Sequence, residues 1–201
     1  MQENAVTPII QYIQQYVDLD IEATELITDH FREVVFPKGH QMIRGGDIAH
    51  NYYFILSGKA RSYYIDHSGK TTTWMFHFNE AFSNIKNLFM VDYKSFLTQS
   101  PGTLYIEAYS DVRALQCSFY SHKYLLEHIP VFEQWMRKLN ENSFIVTYNR
   151  FFTLMTMPAP ARYSQMIKEE PFLLQMFSHY HIASYLGIAP QSLSRIRSAI
   201  S

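Results

Sequence analysis

"FPKGHQMIRGGDIAHNYYFILSGKARSYY", from Phe36 to Tyr64, decides the fold. Short runs rich in Tyr, Phe, Ile and Val alternate with Lys-Gly, Gly-Gly-Asp and Ser-Gly, the punctuation of consecutive antiparallel strands. Five of the seven glycines lie between positions 39 and 69. Upstream, "EVVF" is strand-like; downstream, "HSGKTTTWMFHF" supplies another turn and strand, and "GTLYIEAYSDVRALQCSF" two more near 103–109 and 112–119. So many short strands in a row point to a β-roll or jelly-roll. Before them, "TPIIQYIQQYV" and "DIEATELITDHF" have helical periodicity, with Thr7 and Asp20 as candidate caps.

After Pro130 the texture changes. Residues 131–157 hold neither Gly nor Pro, and Pro130 and Pro158 mark the ends of one long helix, about 40 Å at 1.5 Å per residue. Phe132, Met136, Leu139 and Val146 form a three-four stripe, flanked by Trp135. Such a stripe either packs on the β-domain or pairs with its twin in a dimer. A Pro-rich joint, "MPAPA", then leads into a short helix around 160–169. The expected units are a β-roll with flanking helices over 1–129, the long helix over 130–157 and a helical unit over 158–201.

The chain closes on "HIASYLGIAPQSLSRIRSAIS", His181–Ser201. Ile182, Ala183, Leu186, Ile188, Leu193 and Ile196 recur beneath polar residues, with a small residue at Ala183 for a tight helix crossing and Gly187 for the turn. The spacing is that of a helix-turn-helix whose second helix carries Gln191, Ser192, Ser194, Arg195 and Ser198 outward, a face suited to a major groove. The last 23 residues contain Arg195 and Arg197 and no acid, while all 18 acids lie upstream.

Composition sets the bounds. A chain of 201 residues has room for a sizeable core. The single cysteine, Cys117, excludes an internal disulfide framework and a four-cysteine cluster or zinc ribbon within one chain. The N-terminal stretch lacks the charge and the long apolar run of a signal peptide or membrane span, so a cytoplasmic setting without membrane contact is expected. With a net charge of −1, basic charge is local to the C-terminus. His179-x-His181 has no Cys, Asp or Glu partner within ten residues downstream, so a helix-start role is expected and no metal. "FHFNE" offers only His77 and Glu80, short of the clustered histidines of a cupin enzyme, and no nucleophile–base–orienter set emerges, so no enzyme is expected.

The combination of "FPKGHQMIRGGD", "YYFILSGKARSYY" and "SGK" resembles the cyclic-nucleotide-binding β-roll. With the long helix and "HIASYLGIAPQSLSRIR", residues 20–200 resemble the cyclic AMP receptor/FNR (Crp/Fnr) family of bacterial transcription regulators. The resemblance implies an α+β fold and a homodimer joined along the long helix through Phe132, Trp135, Met136, Leu139 and Val146. It also implies two recognition helices on half-sites about 34 Å apart. Double-stranded DNA, a second copy, RNA polymerase and a small-molecule effector are the implied partners. Base contacts fall on Pro190, Gln191 and Arg195, with Ser192, Ser194, Arg197 and Ser198 also on the DNA face. Pro190 departs from the family's common Arg and cannot donate a hydrogen bond.

The sensory site departs further. Nucleotide-binding members hold the cyclic phosphate with a Gly-Glu pair and an Arg-Ser or Arg-Thr pair. Here Glu80 follows Asn79, the second pair reads "SPGTL", and no arginine lies between Ser62 and Val112. Cyclic AMP is therefore not expected and no cofactor is assigned. Tyr64, Phe76, Glu80 and Thr103 mark the candidate pocket, with Trp74, Phe78 and Phe82 as further aromatics, and an uncharged ligand or none at all remains open. Many members continue past the recognition helix into a phosphate-gripping hairpin; a chain that stops at Ser201 implies modest, salt-sensitive nonspecific affinity. The rival reading is a ligand- or partner-binding roll whose helical tail has abandoned DNA, which the sparse basic charge and Pro190 favour.

Overall fold

The computed structural model describes residues 5–200, so Ser201 lies outside it. Two helices open the chain, α1 (Thr7–Gln14) and α2 (Ile21–Asp29). Asp20 caps α2, its Oδ1 accepting from Ala23 N at 2.7 Å. Thr7 does not cap α1: it is the first helical residue, Val6 sits at the cap, and Pro8 in the first turn needs no donor there.

Eight strands follow: β1 (Arg32–Phe36), β2 (Gln41–Ile43), β3 (Asn51–Ser57), β4 (Lys59–Ile65), β5 (Thr71–Phe78), β6 (Phe89–Met90), β7 (Tyr105–Ala108) and β8 (Val112–Ser118). Two short helices interrupt them, α3 (Ile85–Leu88) and α4 (Tyr93–Thr98). The strands pair antiparallel into two sheets, β1-β8-β3-β6 and β2-β7-β4-β5, the double-sheet roll anticipated from the turns. Gly58, at φ +89°, makes the β3–β4 turn, where a Cβ would collide with the carbonyl oxygen of Asp111. Gly69, at φ +83°, has open space around it. Gly58→Ala is therefore expected to cost about 1–3 kcal/mol more than Gly69→Ala. Urea midpoints of the two variants check this, and equal losses would refute it.

The helical part comprises α5 (Phe119–His128), α6 (Pro130–Thr156), α7 (Ala159–Glu169), α8 (Leu173–Met176), α9 (His179–Tyr185) and α10 (Pro190–Ile200). No helix among the described residues is long and apolar enough to cross a membrane. The 27 residues of α6 present two distinct apolar faces. Phe132, Trp135, Met136 and Leu139 are buried in this chain's own core, packed with α1, the roll and α5. Lys138 Nζ donates to Tyr16 O at 2.6 Å and Tyr93 Oη to Asn140 Oδ1 at 2.6 Å, fixing that half of α6 to the end of α1 and to α4.

Of the two uses open to the stripe, packing on the β-domain is the one adopted; these four side chains are not free to meet a partner, and half-buried Val146 continues the same face. A different stripe is exposed: Phe144, Tyr148, Phe151 and Met155, flanked by Ile145 and Phe152. Its four-three-four spacing lies about 130° around the helix from the core stripe, at 100° per residue.

A second core gathers Tyr163, Met166, Leu173, Phe177, Ile182, Ala183, Tyr185, Leu186 and Leu193 of the C-terminal helices with Phe76 and Phe78 of β5. The β4–β5 register shifts between Ser62 and Tyr63, leaving Trp74 as an extra, unpaired residue. Such a bulge reverses the alternation of faces. Thr73, Phe76 and Phe78 then share the face toward the C-terminal helices, while Trp74, Met75 and His77 line the interior side.

Candidate functional site

Ser178 caps α9 by accepting from His181 N at 3.3 Å. At its other end Gly187 takes φ +66°, and Gly187 N and Ile188 N each donate, to Ser184 O and Ala183 O, at 3.0 Å. A left-handed glycine closing a helix in this way is the reason Gly stands at the turn. Pro190 then opens α10, where its missing N–H is no loss. Ile182, Ala183, Leu186 and Leu193 are buried in the crossing.

The outer surface of α10 follows from what the crossing buries. Pro190, Gln191, Ser194, Arg195 and Ser198 are exposed, and Ser192 and Arg197 are half-buried. Arg197 Nη1 lies 2.9 Å from His179 Nε2, joining the start of α9 to the outer face of α10. Over residues 179–200 there is no Asp or Glu. Pro190, Gln191, Ser194, Arg195 and Ser198 thus share the outer side of α10, while Ser192 and Arg197 lie at its two margins beside the buried face.

The first helix of the pair is docked. Ser184 Oγ accepts from Thr73 N at 2.8 Å and donates to Thr71 O at 3.0 Å, clipping α9 to the edge strand β5. Arg61 on β4, itself buried and paired with Glu107 at 2.8 Å, reaches His181 Nδ1 at 2.6 Å. Burial first, and the Arg61 charge second, hold the His181 pKa down at about 4, so its ring is a neutral acceptor for the guanidinium. Phe76 stacks on Phe177 with ring centroids 4.1 Å apart. His179 and His181 therefore both serve as partners for arginines. Burial of either helix of the pair against the roll is the outcome that counts against DNA binding unless a switch releases it; its sequence trace is that "WMFHF" is apolar on both strand faces, the pattern of a strand covered from two sides.

Inside the roll a cavity of about 170 Å³ lies between β5, the β6–α4 segment and α6, lined by Trp74, Met75, His77, Phe89, Phe96 and Met136 among others. None of Tyr64, Phe76, Glu80 and Thr103 lines it. Tyr64 is partly exposed, Glu80 and Thr103 are on the surface, and Phe76 faces α9 across the sheet. Phe78 and Phe82 pack on Phe172 of the C-terminal unit, leaving Trp74 as the one correctly placed aromatic.

No arginine lines the cavity, and the one lysine, Lys86, is held by Glu170 at 2.7 Å. Where "SPGTL" replaces the arginine pair, the chain supplies its own anion. Buried Asp92 Oδ2 accepts from Thr103 N at 3.1 Å and Leu104 N at 3.0 Å, and its Oδ1 from Ser95 N at 3.2 Å. A side chain at Gly102 would collide with that carboxylate. Two histidines face the cavity, His77 and His122, both driven to a pKa of about 4 by burial; the Asn87 backbone opposes the shift at His77. Apart from the paired Lys86 the lining carries no formal charge and is mostly apolar and aromatic, and the cavity is smaller than ordinary ligand pockets of about 300–1,000 Å³.

The sequence matches no family profile and no curated protein. Solved structures do match the fold. FixK2 from Bradyrhizobium japonicum is 16% identical, with a TM-score of 0.70 over 85% of this chain and 84% of that one. The c-di-GMP-responsive global regulator CLP of Xanthomonas campestris is 12% identical, with a TM-score of 0.69 over 90% and 91%. The catabolite activator protein of Thermus thermophilus is 18% identical, with a TM-score of 0.57 over 92% and 85%. The chain has the fold of the Crp/Fnr transcription regulators, as the roll, long helix and helix-turn-helix read from the sequence require.

Proposed function

We propose that this chain is a cytoplasmic, non-enzymatic transcription regulator that binds DNA as a homodimer. The observation that carries this reading is the acid-free outer face of α10, which stays exposed although α9 is docked on the roll. Arg195 is placed to read guanine with its fork and Gln191 to read adenine; Ser192, Ser194, Arg197 and Ser198 meet the backbone, and Pro190 contributes shape alone. The two copies join along Phe144, Tyr148, Phe151 and Met155, giving the spacing between recognition helices that a near-palindromic operator needs. RNA polymerase is the partner through which such a dimer acts. The roll takes a small uncharged molecule rather than cyclic AMP. The one cation on its wall, Lys86, is already paired with Glu170, so a buried cyclic phosphate has no free charge to offset its desolvation. Cyclic AMP is therefore expected to leave the thermal midpoint unmoved; a concentration-dependent rise would overturn that assignment.

The docking of α9 favours the rival, a tail retained for contacts within the protein, so the deciding experiment addresses α10 directly. Purified protein is used to select from a random duplex pool at about 100 mM salt, with Arg195→Ala in parallel. A two-fold symmetric site is expected, with Arg195→Ala losing about 1–3 kcal/mol of discrimination at one base pair of each half-site. No enrichment, or the same site with the mutant, counts against this reading.

A further inference from the structure

A second cavity, of about 510 Å³, lies outside the roll, where α6, α7 and the end of α9 meet β5 and α3. Its size is that of an ordinary small-molecule site. The charged side chains on its walls are Lys86, Arg150 and Arg162 against Glu169 and Glu170. Glu170 is taken by Lys86 at 2.7 Å and by the Tyr185 hydroxyl at 3.1 Å, and Glu169 accepts from Gln165 Nε2 at 3.0 Å. Both guanidiniums find only backbone carbonyls. Arg162 Nε donates to Leu186 O at 2.9 Å and its Nη1 to Met157 O at 2.5 Å. Arg150 Nη2 donates to Thr73 O at 3.4 Å and to Tyr185 O, with its guanidinium 3.7 Å from the Tyr185 ring centre.

Among the described residues, neither arginine has a carboxylate within 4.0 Å. The Nε–H of Arg150 is buried with no acceptor, and Gln165 Oε1 is buried with no donor. Two arginines sharing a cavity with no carboxylate in contact with either, beside an acceptor that lacks a proton, leave a place for negative charge and a hydrogen-bond donor close to it. Lowered dielectric makes the mismatch costly, and a fork of N–H groups suits carboxylate and phosphate alike.

We propose that this cavity binds a small organic anion, a carboxylate or phosphate with a hydroxyl beside it. Arg150 and Arg162 supply the charge and Gln165 accepts from the hydroxyl. The ligand joins α6 to α7 across the Met157–Pro158 joint and touches the wall formed by Tyr185 and Leu186, so it sets the angle at which α9 and α10 are held. The site adjoins the roll cavity, sharing Met75, Lys86 and Val146 with it, but Arg150, Arg162 and Gln165 line this one alone, and it stands whether or not α10 binds DNA.

Calorimetric titration of the full chain with glycerate, glycerol 3-phosphate, acetate, inorganic phosphate and glycerol tests it. One of the two hydroxylated anions is expected to bind about tenfold more tightly than its plain counterpart, and glycerol not at all. Which of them wins separates a carboxylate from a phosphate ligand. Arg162→Lys keeps the charge but loses the fork, and should weaken binding about tenfold. Gln165→Leu, at a half-buried surface position, should abolish the preference for the hydroxylated anion with the circular dichroism unchanged; it decides the matter even if the arginine variant folds poorly. The proposal is overturned if none of the four anions binds, if glycerol binds as well as they do, or if Gln165→Leu retains the hydroxyl preference.

Discussion

Acidification from pH 6.5 to about 4 is expected to unfold the protein, with His77 and His122 as the main cause. His77 is enclosed on β5, its Nε2 3.1 Å from Ser62 Oγ, and His122 lies among the rings of Tyr52, Phe96 and Phe132. Both have a folded pKa of about 4 against 6.5 for the free side chain, so protons bind preferentially to the unfolded chain. Their contribution is complete above pH 6.5 and lost as the pH falls toward 4, about 3 kcal/mol for each histidine. Two such losses are comparable to the whole stability of an ordinary domain, about 5–15 kcal/mol. His181 adds less, because it is only half-buried, and its protonation beside Arg61 acts first on the docking of α9. Urea midpoints are therefore expected to be level between pH 8 and 7 and to fall steeply below 6.5, and His122→Phe should remove about half the slope. A midpoint that holds steady down to pH 4.5 would show that these rings are solvated.

The strands and their turns were legible because both signals are local: alternation within five to eight residues and a glycine where the chain must reverse, as at Gly58 and Gly69. The long helix and the helix-turn-helix were legible for the same reason, through Pro130, Pro158 and the Ala183–Gly187 spacing. What was lost depends on which distant element covers a face. Phe76 and Phe78 belong to α9 and its neighbours rather than to the roll cavity because a bulge at Trp74 turns them outward, and single-residue register cannot be read from an apolar run. The Asp92 cradle and the arginine pair at the joint each combine residues far apart in sequence. The stripe on α6 erred differently. Two apolar stripes were written there, and only the roll's presence decides that Trp135 lies inside while Phe151 does not.

That division of α6 gives the other large effect. Phe151 is 60% exposed and Trp135 is 0% exposed on the same helix. Phe151→Glu is expected to leave the fold intact, within about 0.5 kcal/mol by urea midpoint, since its side chain lies mostly in solvent. In a dimer built on the exposed stripe, however, the two-fold axis sets one glutamate against its twin in an apolar seam, and neither charge has a partner. The variant should then run at 23.7 kDa by light scattering, where the parent is expected at twice that mass. Its affinity for the operator should fall about 100-fold or more, because two recognition helices that are no longer linked lose their effective concentration. Trp135→Ala should do the reverse: a loss of about 3–5 kcal/mol in stability, with association retained wherever the protein remains folded. If Phe151→Glu stays dimeric, the seam lies on another surface, and the exposed aromatics at Phe144 and Tyr148 need a different occupant. If both variants fail together, the two faces of α6 are not independent, and the helix passes the state of the roll directly to the dimer interface.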